Sequence, residues 1–132
     1  MSIIKKVTAA VLERDGKILI ARRRKGDYLE DKWEFPGGKI EPLETPEECL
    51  RRELLEEFGV EAEIGEFICS SPFEYSHISI ELLAYRVTYL SGEFLLHSHA
   101  EITWVDPSEF PDYDFAEADK PIVRVLQEGT GS

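Results

Sequence analysis

Cysteine and methionine are scarce in this chain, with two of the first and one of the second in 132 residues. Cys49 and Cys69 form no CxxC pair and fit no zinc-ligand spacing. A disulfide scaffold and a thiolate metal centre are therefore excluded as organising devices. Two free thiols point to a cytoplasmic setting. No apolar run approaches the ~18 residues of a membrane span. The opening stretch MSIIKKVTAAVLERDGK has charges inside its apolar part, unlike a secretory signal. Basic residues are also few: 15 Lys and Arg stand against 27 Asp and Glu, for a net charge of −12. That balance excludes nonspecific binding to nucleic-acid polymers, which needs a positive field. At face value it should repel phosphate ligands too.

What is present is enough for one domain with a real core: 132 residues, 42% of them hydrophobic. No repeat, linker or low-complexity block interrupts it, so residues 1–128 read as one domain and 129–132 as a flexible tail. The charge is unevenly placed. Residues 1–40 hold ten basic and six acidic residues, whereas residues 61–132 hold three and fourteen. A positive opening third inside an acidic protein calls for a cause.

Residues 3–12 read as a strand rich in β-branched residues, Asp15-Gly16 as a hairpin turn, and Lys17–Arg22 as the returning strand. Residues 23–32 are polar and loop-like, and Trp33–Phe35 is a short apolar patch stopped by Pro36-Gly37-Gly38. Thr45, Pro46 and Glu48 make a capping box with Pro at the first helical position, and Gly59 ends the helix they start. Strand signals follow over Val60–Ser70, with Gly65 as a bulge or turn, and over Ile78–Tyr89, Glu93–His97 and Glu101–Val105. Asp106–Phe115 is a Pro/Asp-rich connection, and Pro121–Gln127 closes the chain as a helix. The fold class is α/β.

The helix carries the chemistry. At about 100° per residue, Glu53, Glu56 and Glu57 share an arc of about 100°, with Arg52 flanking Glu56 and the ridge Leu50, Leu54, Phe58 alongside. Like charges at this spacing repel, and an adjacent apolar ridge adds a desolvation cost. A divalent cation resolves the conflict, since several carboxylates and waters make a hard oxygen site suited to Mg²⁺, with Mn²⁺ as a substitute. An exposed acidic face is the alternative for such a stripe taken alone. Cys49, one turn before Glu53, suits packing better than Mg²⁺ ligation.

Residues Gly38–Val60 read GKIEPLETPEECLRRELLEEFGV. This segment resembles the Nudix box at every fixed position. WEFPGG before it, the basic strand end and FAEADKPIV near the C-terminus resemble the MutT-like, nucleoside-triphosphate branch of that family. The resemblance implies an α/β/α sandwich with a mixed central sheet and a loop–helix–loop metal site. It implies that Glu53, Glu56 and Glu57 hold metal, with the Gly37 carbonyl in the same shell, that Arg52 orients a carboxylate, and that Glu44 ties loop to helix. Many members have Gly where this chain has Leu43, a variable position of the pattern.

The expected activity is Mg²⁺-dependent hydrolysis of a (deoxy)nucleoside triphosphate to the monophosphate and pyrophosphate, with nucleotide-pool sanitising as a role. Glu53, at the centre of the acidic arc, is the first choice of general base, and Glu101, in HSHAEITWV, is the rival and a further metal ligand. His97 and His99 read as edge-strand or rim residues. Arg23, in the run Arg22-Arg23-Arg24-Lys25, is the expected phosphate contact by matching position. Trp33 and Phe35 could flank the base, and Tyr75 and His77 could line its pocket. Asp119 is the candidate for reading the base. An ionised Asp only accepts hydrogen bonds, which favours cytidine nucleotides, with oxidised purines next; an N-cap for the closing helix is the structural alternative. Hydrolysis of ADP-ribose or dinucleoside polyphosphates, and a catalytically silent nucleotide-binding module, are the competing readings. The expected partner is the nucleotide alone, for a monomer or homodimer, with no membrane and no nucleic-acid polymer.

Overall fold

The computed structural model describes residues 4–130. Its core is a six-stranded mixed sheet. The strands are β1 (Ile4–Arg14), β2 (Lys17–Arg23), β3 (Trp33–Glu34), β4 (Glu61–Tyr75), β5 (Ile78–Ser91) and β6 (His99–Val105); the helices are α1 (Pro46–Phe58) and α2 (Lys120–Thr130). β1 runs parallel to β5 in unbroken register from Ile4↔Ser79 to Glu13↔Thr88, and β2 pairs antiparallel with β1, β3 and β6. Asp15 (φ 54°) and Gly16 (φ 79°) form the left-handed turn between β1 and β2.

β1 is buried on both faces, which explains its nearly continuous apolar run. Ala9 and Val11 point into one core with Ile18, Ile20, Phe110, Phe115, Ile122 and Leu126, under α2. Ala10 and Leu12 point into the other with Leu19, Leu50, Leu54 and Phe58, under α1. One helix layer on each face of the sheet gives the α/β/α sandwich. α1 begins at the capping box: Thr45 accepts from Glu48 N–H and Glu48 accepts from Thr45 N–H, and Gly59 ends it at φ 71°. Leu43 is fully exposed at φ 66°, a left-handed backbone that costs a non-glycine residue about 1 kcal/mol.

Four elements differ from the sequence pattern. Residues 93–97, expected as a strand, are not one. The Leu95 and His97 amides donate to the Phe58 and Glu57 carbonyls (2.9 and 3.3 Å), so this segment satisfies the last turn of α1 instead of a sheet edge. β4 runs on to Tyr75, with register shifts around Gly65 and Phe67. The connection after β6 contains a 3-10 turn, Pro107–Asp112, capped by Asp106. α2 extends through Thr130, into the expected tail, and residues 131–132 lie outside the described ones. Among the described residues, no helix is long and apolar enough to cross a membrane.

Candidate active site

The site is built where the β3–α1 loop lies along the middle of β1. Thr8 N–H donates to the Gly38 carbonyl (2.8 Å) and Ala10 N–H to the Pro36 carbonyl (2.6 Å), so Gly37 and Gly38 lie directly on β1. A Cβ on Gly37 would collide with the Thr8 carbonyl oxygen, and one on Gly38 would collide with the Glu53 carboxylate. Both glycines are therefore close-approach positions, and the second sets where Glu53 rests.

Arg52 organises the box. Its Nε and Nη2 donate to the two oxygens of Glu44 (2.7 and 2.9 Å), Nη1 donates to Glu53 (2.8 Å) and more loosely to Glu56 (3.3 Å), and Nη2 also reaches the Lys39 carbonyl (3.2 Å). These bonds fasten the loop to the helix. They hold the Glu44 carboxyl down at about 2, with the Arg52 hydrogen bonds as the largest cause. Cys49 is buried against Thr8 and the Gly38 and Lys39 carbonyls, as a packing residue.

Glu57 has the opposite environment. Burial, then the negative charges of Glu53 and Glu34, push its carboxyl up to about 8. Its Oε2 is buried with no hydrogen-bond partner among the described residues, and so is His99 Nδ1, 3.9 Å away. The His99 ring is stacked on Phe58 (centroids 5.5 Å, planes 10° apart), and its Nε2 lies 2.8 Å from Glu34 Oε2. Glu34 Oε1 accepts from Arg23 Nη1 (2.8 Å), and Arg23 also donates twice to Asp27 (3.0 and 2.7 Å). A chain of polar contacts thus runs from Asp27 to Glu57. Glu34 and His99 are its centre, and neither was assigned this place from sequence. Arg23 does reach the site, but two carboxylates share its guanidinium.

Among the described residues, no three His, Cys, Asp or Glu side chains converge as a finished metal centre, since Glu53 and Glu56 are both drawn to Arg52. The donor set nonetheless suits a hard divalent cation. The buried, partnerless Glu57 oxygen lies among other carboxylates with too little positive charge to balance them.

A cavity of about 500 Å³ opens beside this network. Its lining combines polar positions (Gly37, Gly38, Lys39, Glu57, Arg23 and His99) with apolar ones (Val7, Phe35, Ile80, Leu82, Ala116 and Ala118). Five expected site residues are absent from its lining: Arg52, Glu53 and Glu56, which hydrogen bonds draw together, and Glu101 and Trp33. Glu101 instead pairs with Arg22 (3.1 Å). The cause is a bulge: β6 places Glu101 opposite Arg22 but His99 opposite Arg23, so the extra residue Ala100 turns His99 inward and Glu101 outward. Trp33 packs edge-on against Tyr113 (5.1 Å), away from the cavity lining. Phe35 does line it, but its ring is fixed in the core between Phe110 and Phe115.

Asp119 lines the cavity and is buried. Its Oδ2 accepts from Phe35 N–H (2.9 Å), so its side chain is not spent on capping α2. Ser71 Oγ and Tyr75 Oη hold the neighbouring Ala118 peptide by its carbonyl and amide (2.8 and 3.1 Å), which fixes this corner. Burial, with the Glu34 charge second, raises the Asp119 carboxyl well above the usual carboxylate range. The neutral acid is thereby favoured in the folded state. Stability should fall as pH rises from ~3.9, the unfolded value, through the higher folded one. Asn keeps the acceptor for Phe35 without the charge. Asp119→Asn is therefore expected to raise the melting temperature by a few degrees above neutral pH, with the gain vanishing in acid, as followed by calorimetry across pH.

A family model described as NUDIX domain matches residues 4–126. The chain is 42% identical over 120 residues to the CTP pyrophosphohydrolase of Escherichia coli (strain K12), covering 91% of this chain and 89% of that one. It is 33% identical over 124 residues to the 8-oxo-dGTP diphosphatase of Haemophilus influenzae, covering 92% and 91%. Among solved structures, the E. coli ORF135 protein superposes with a TM-score of 0.86 at 39% identity, over 96% of this chain and 91% of that one. A MutT protein from Methanosarcina mazei Go1 reaches 0.88 at 21% identity, over 99% and 98%, which shows the shared fold.

Proposed function

The chain belongs to the NUDIX family of pyrophosphohydrolases, and on that premise we propose that it cleaves a (deoxy)nucleoside triphosphate to the monophosphate and pyrophosphate with Mg²⁺. The observation that carries the reading is the single cavity joining two kinds of surface. Its lining includes Gly37, Gly38, Lys39 and Glu57 as well as apolar side chains and, bonded to the Phe35 amide, Asp119. A nucleotide has the same two kinds of surface, a charged phosphate chain and a flat base.

Glu53, Glu56 and Glu57, with the Gly37 carbonyl, are the residues that would hold the cation. A divalent ion held there would supply charge neutralisation for the phosphate chain and would lower the pKa of water for attack near neutral pH. Glu53 is the base we favour, because its carboxylate rests on Gly38, a residue of the cavity lining. Lys39, and Arg23 once part of its carboxylate pairing yields, supply positive charge to the phosphates. Asp119 reads the base. The upward shift of its carboxyl favours the neutral form, which both donates and accepts, unlike the acceptor-only group expected from sequence. Cytidine nucleotides and oxidised purines remain the favoured substrates, consistent with what the two named relatives act on. Glu53→Gln and Glu56→Gln should each remove most Mg²⁺-dependent pyrophosphate release and leave the melting temperature nearly unchanged. Wild-type turnover in both variants would contradict the assigned site.

A further inference from the structure

Two aromatic residues at the mouth of the cavity have no part in the chemistry above. Tyr28 comes from the segment between β2 and β3, and His77 from the turn between β4 and β5. Their rings meet edge to face, with centroids 4.5 Å apart and planes at 90°, and both line the cavity. Tyr28 also meets the Tyr75 ring edge-on at 5.9 Å. Yet Tyr28 is 58% exposed, so core packing does not account for its position. Its loop is tied down on both sides. Asp27 binds Arg23 and accepts from Leu29 N–H (3.0 Å), and Asp31 binds both Arg22 and Lys25 (2.8 Å each). Three ion-paired arginine and lysine side chains thus hold one exposed tyrosine over an otherwise open cavity.

We infer that Tyr28 and His77 form an aromatic clamp over the nucleoside end of the cavity and act as specificity-determining residues for planar, base-bearing substrates. The inference rests on the cavity being a nucleotide site. In an edge-to-face pair, one ring keeps both of its faces free. Both rings line the same cavity as Phe35, Ile80, Leu82 and Asp119, and together these would form a slot for a flat heterocycle. Every base has a π-face, so the clamp selects for the presence of a base and leaves its identity to Asp119.

Equilibrium binding separates this role from turnover. The probes are the α,β-methylene analogues of CTP and dGTP, which cannot be cut at that bond, and inorganic tripolyphosphate, all with Mg²⁺. Tyr28→Ala and His77→Ala are each expected to weaken nucleotide-analogue binding by roughly 5- to 100-fold, the range that base–aromatic stacking supplies, and to leave tripolyphosphate binding unchanged. Tyr28→Phe should restore nucleotide affinity. Wild-type analogue affinity in Tyr28→Ala would overturn the clamp, as would an equal loss of tripolyphosphate affinity. A wild-type protein that binds tripolyphosphate but neither analogue would overturn the nucleotide reading of the cavity itself.

Discussion

Gly38→Ala is expected to melt within roughly two degrees of wild type and to lose turnover on the order of 100-fold or more. The new methyl carbon would lie 2.5 and 2.7 Å from the Glu53 carboxylate oxygens. Those atoms end a flexible side chain, so the fold can yield by moving them. Moving them displaces the group assigned to metal and water, and misplacement by about 1 Å is enough to cost that much rate. Gly37→Ala should fail differently. Its methyl would meet the Thr8 carbonyl oxygen and Ala9 Cα, which belong to the central strand and cannot step aside. Overpacking of this kind costs about 1–3 kcal/mol, so Gly37→Ala is expected to show a lowered melting temperature as well as lost activity. Thermal melts and turnover on the two variants check both expectations. A fully active Gly38→Ala enzyme would show that the position of Glu53 is not critical.

Glu57→Gln should separate stability from activity. The Glu57 carboxyl is raised to about 8, first by burial and then by Glu53 and Glu34. A carboxyl whose folded value exceeds its unfolded one contributes its stability in acid and loses it as pH rises. In EDTA, wild type is therefore expected to lose on the order of a few kcal/mol between pH 5 and pH 9, with most of the loss complete once pH passes about 8. Glutamine cannot ionise, so Glu57→Gln should remove the Glu57 share of that dependence, leaving the share from Asp119, and melt higher than wild type at pH 9. Adding Mg²⁺ should reverse the order, because a cation that binds only the folded state stabilises it by mass action. Wild type would gain, the variant would gain little, and its turnover would fall on the order of 100-fold or more. Calorimetry at pH 5, 7 and 9, with EDTA and with Mg²⁺, tests this. A variant that is less stable than wild type in EDTA at pH 9 would contradict the account of Glu57.

What could be read from the sequence was local. The capping box at Thr45, the glycine stop at Gly59 and the stripe Glu53, Glu56, Glu57 depend on residues three to seven apart, so α1 and its acidic face are visible in the letters. The Glu44–Arg52 clasp spans eight residues within one motif and was implied by resemblance. What was not visible depends on pairing between distant segments. Period-two alternation gives His99 and Glu101 the same face, and the bulge opposite Arg22 and Arg23 separates them. Glu34 looks like one polar letter in an apolar patch; its place between Arg23 and His99 comes from β2 pairing with both β3 and β6. Residues 93–97 have the composition of a strand, yet their backbone is claimed by the carbonyls at the end of α1.

The charge of −12 takes on a narrower meaning in the folded chain. Much of the positive opening third is paired within itself or nearby, as in Arg22 and Lys25 with Asp31 and Arg23 with Asp27 and Glu34. The acids that matter are a few on one face of α1, and bound cation would reverse the local sign there.

The central claim is tested most directly by following a panel of nucleoside triphosphates and their deoxy and 8-oxo forms with the wild-type protein by ³¹P NMR. The predicted result is Mg²⁺-dependent appearance of nucleoside monophosphate and pyrophosphate, abolished by EDTA and fastest for cytidine or oxidised purine nucleotides. Release of nucleoside diphosphate and orthophosphate, or no cleavage of any triphosphate at saturating Mg²⁺, would contradict it.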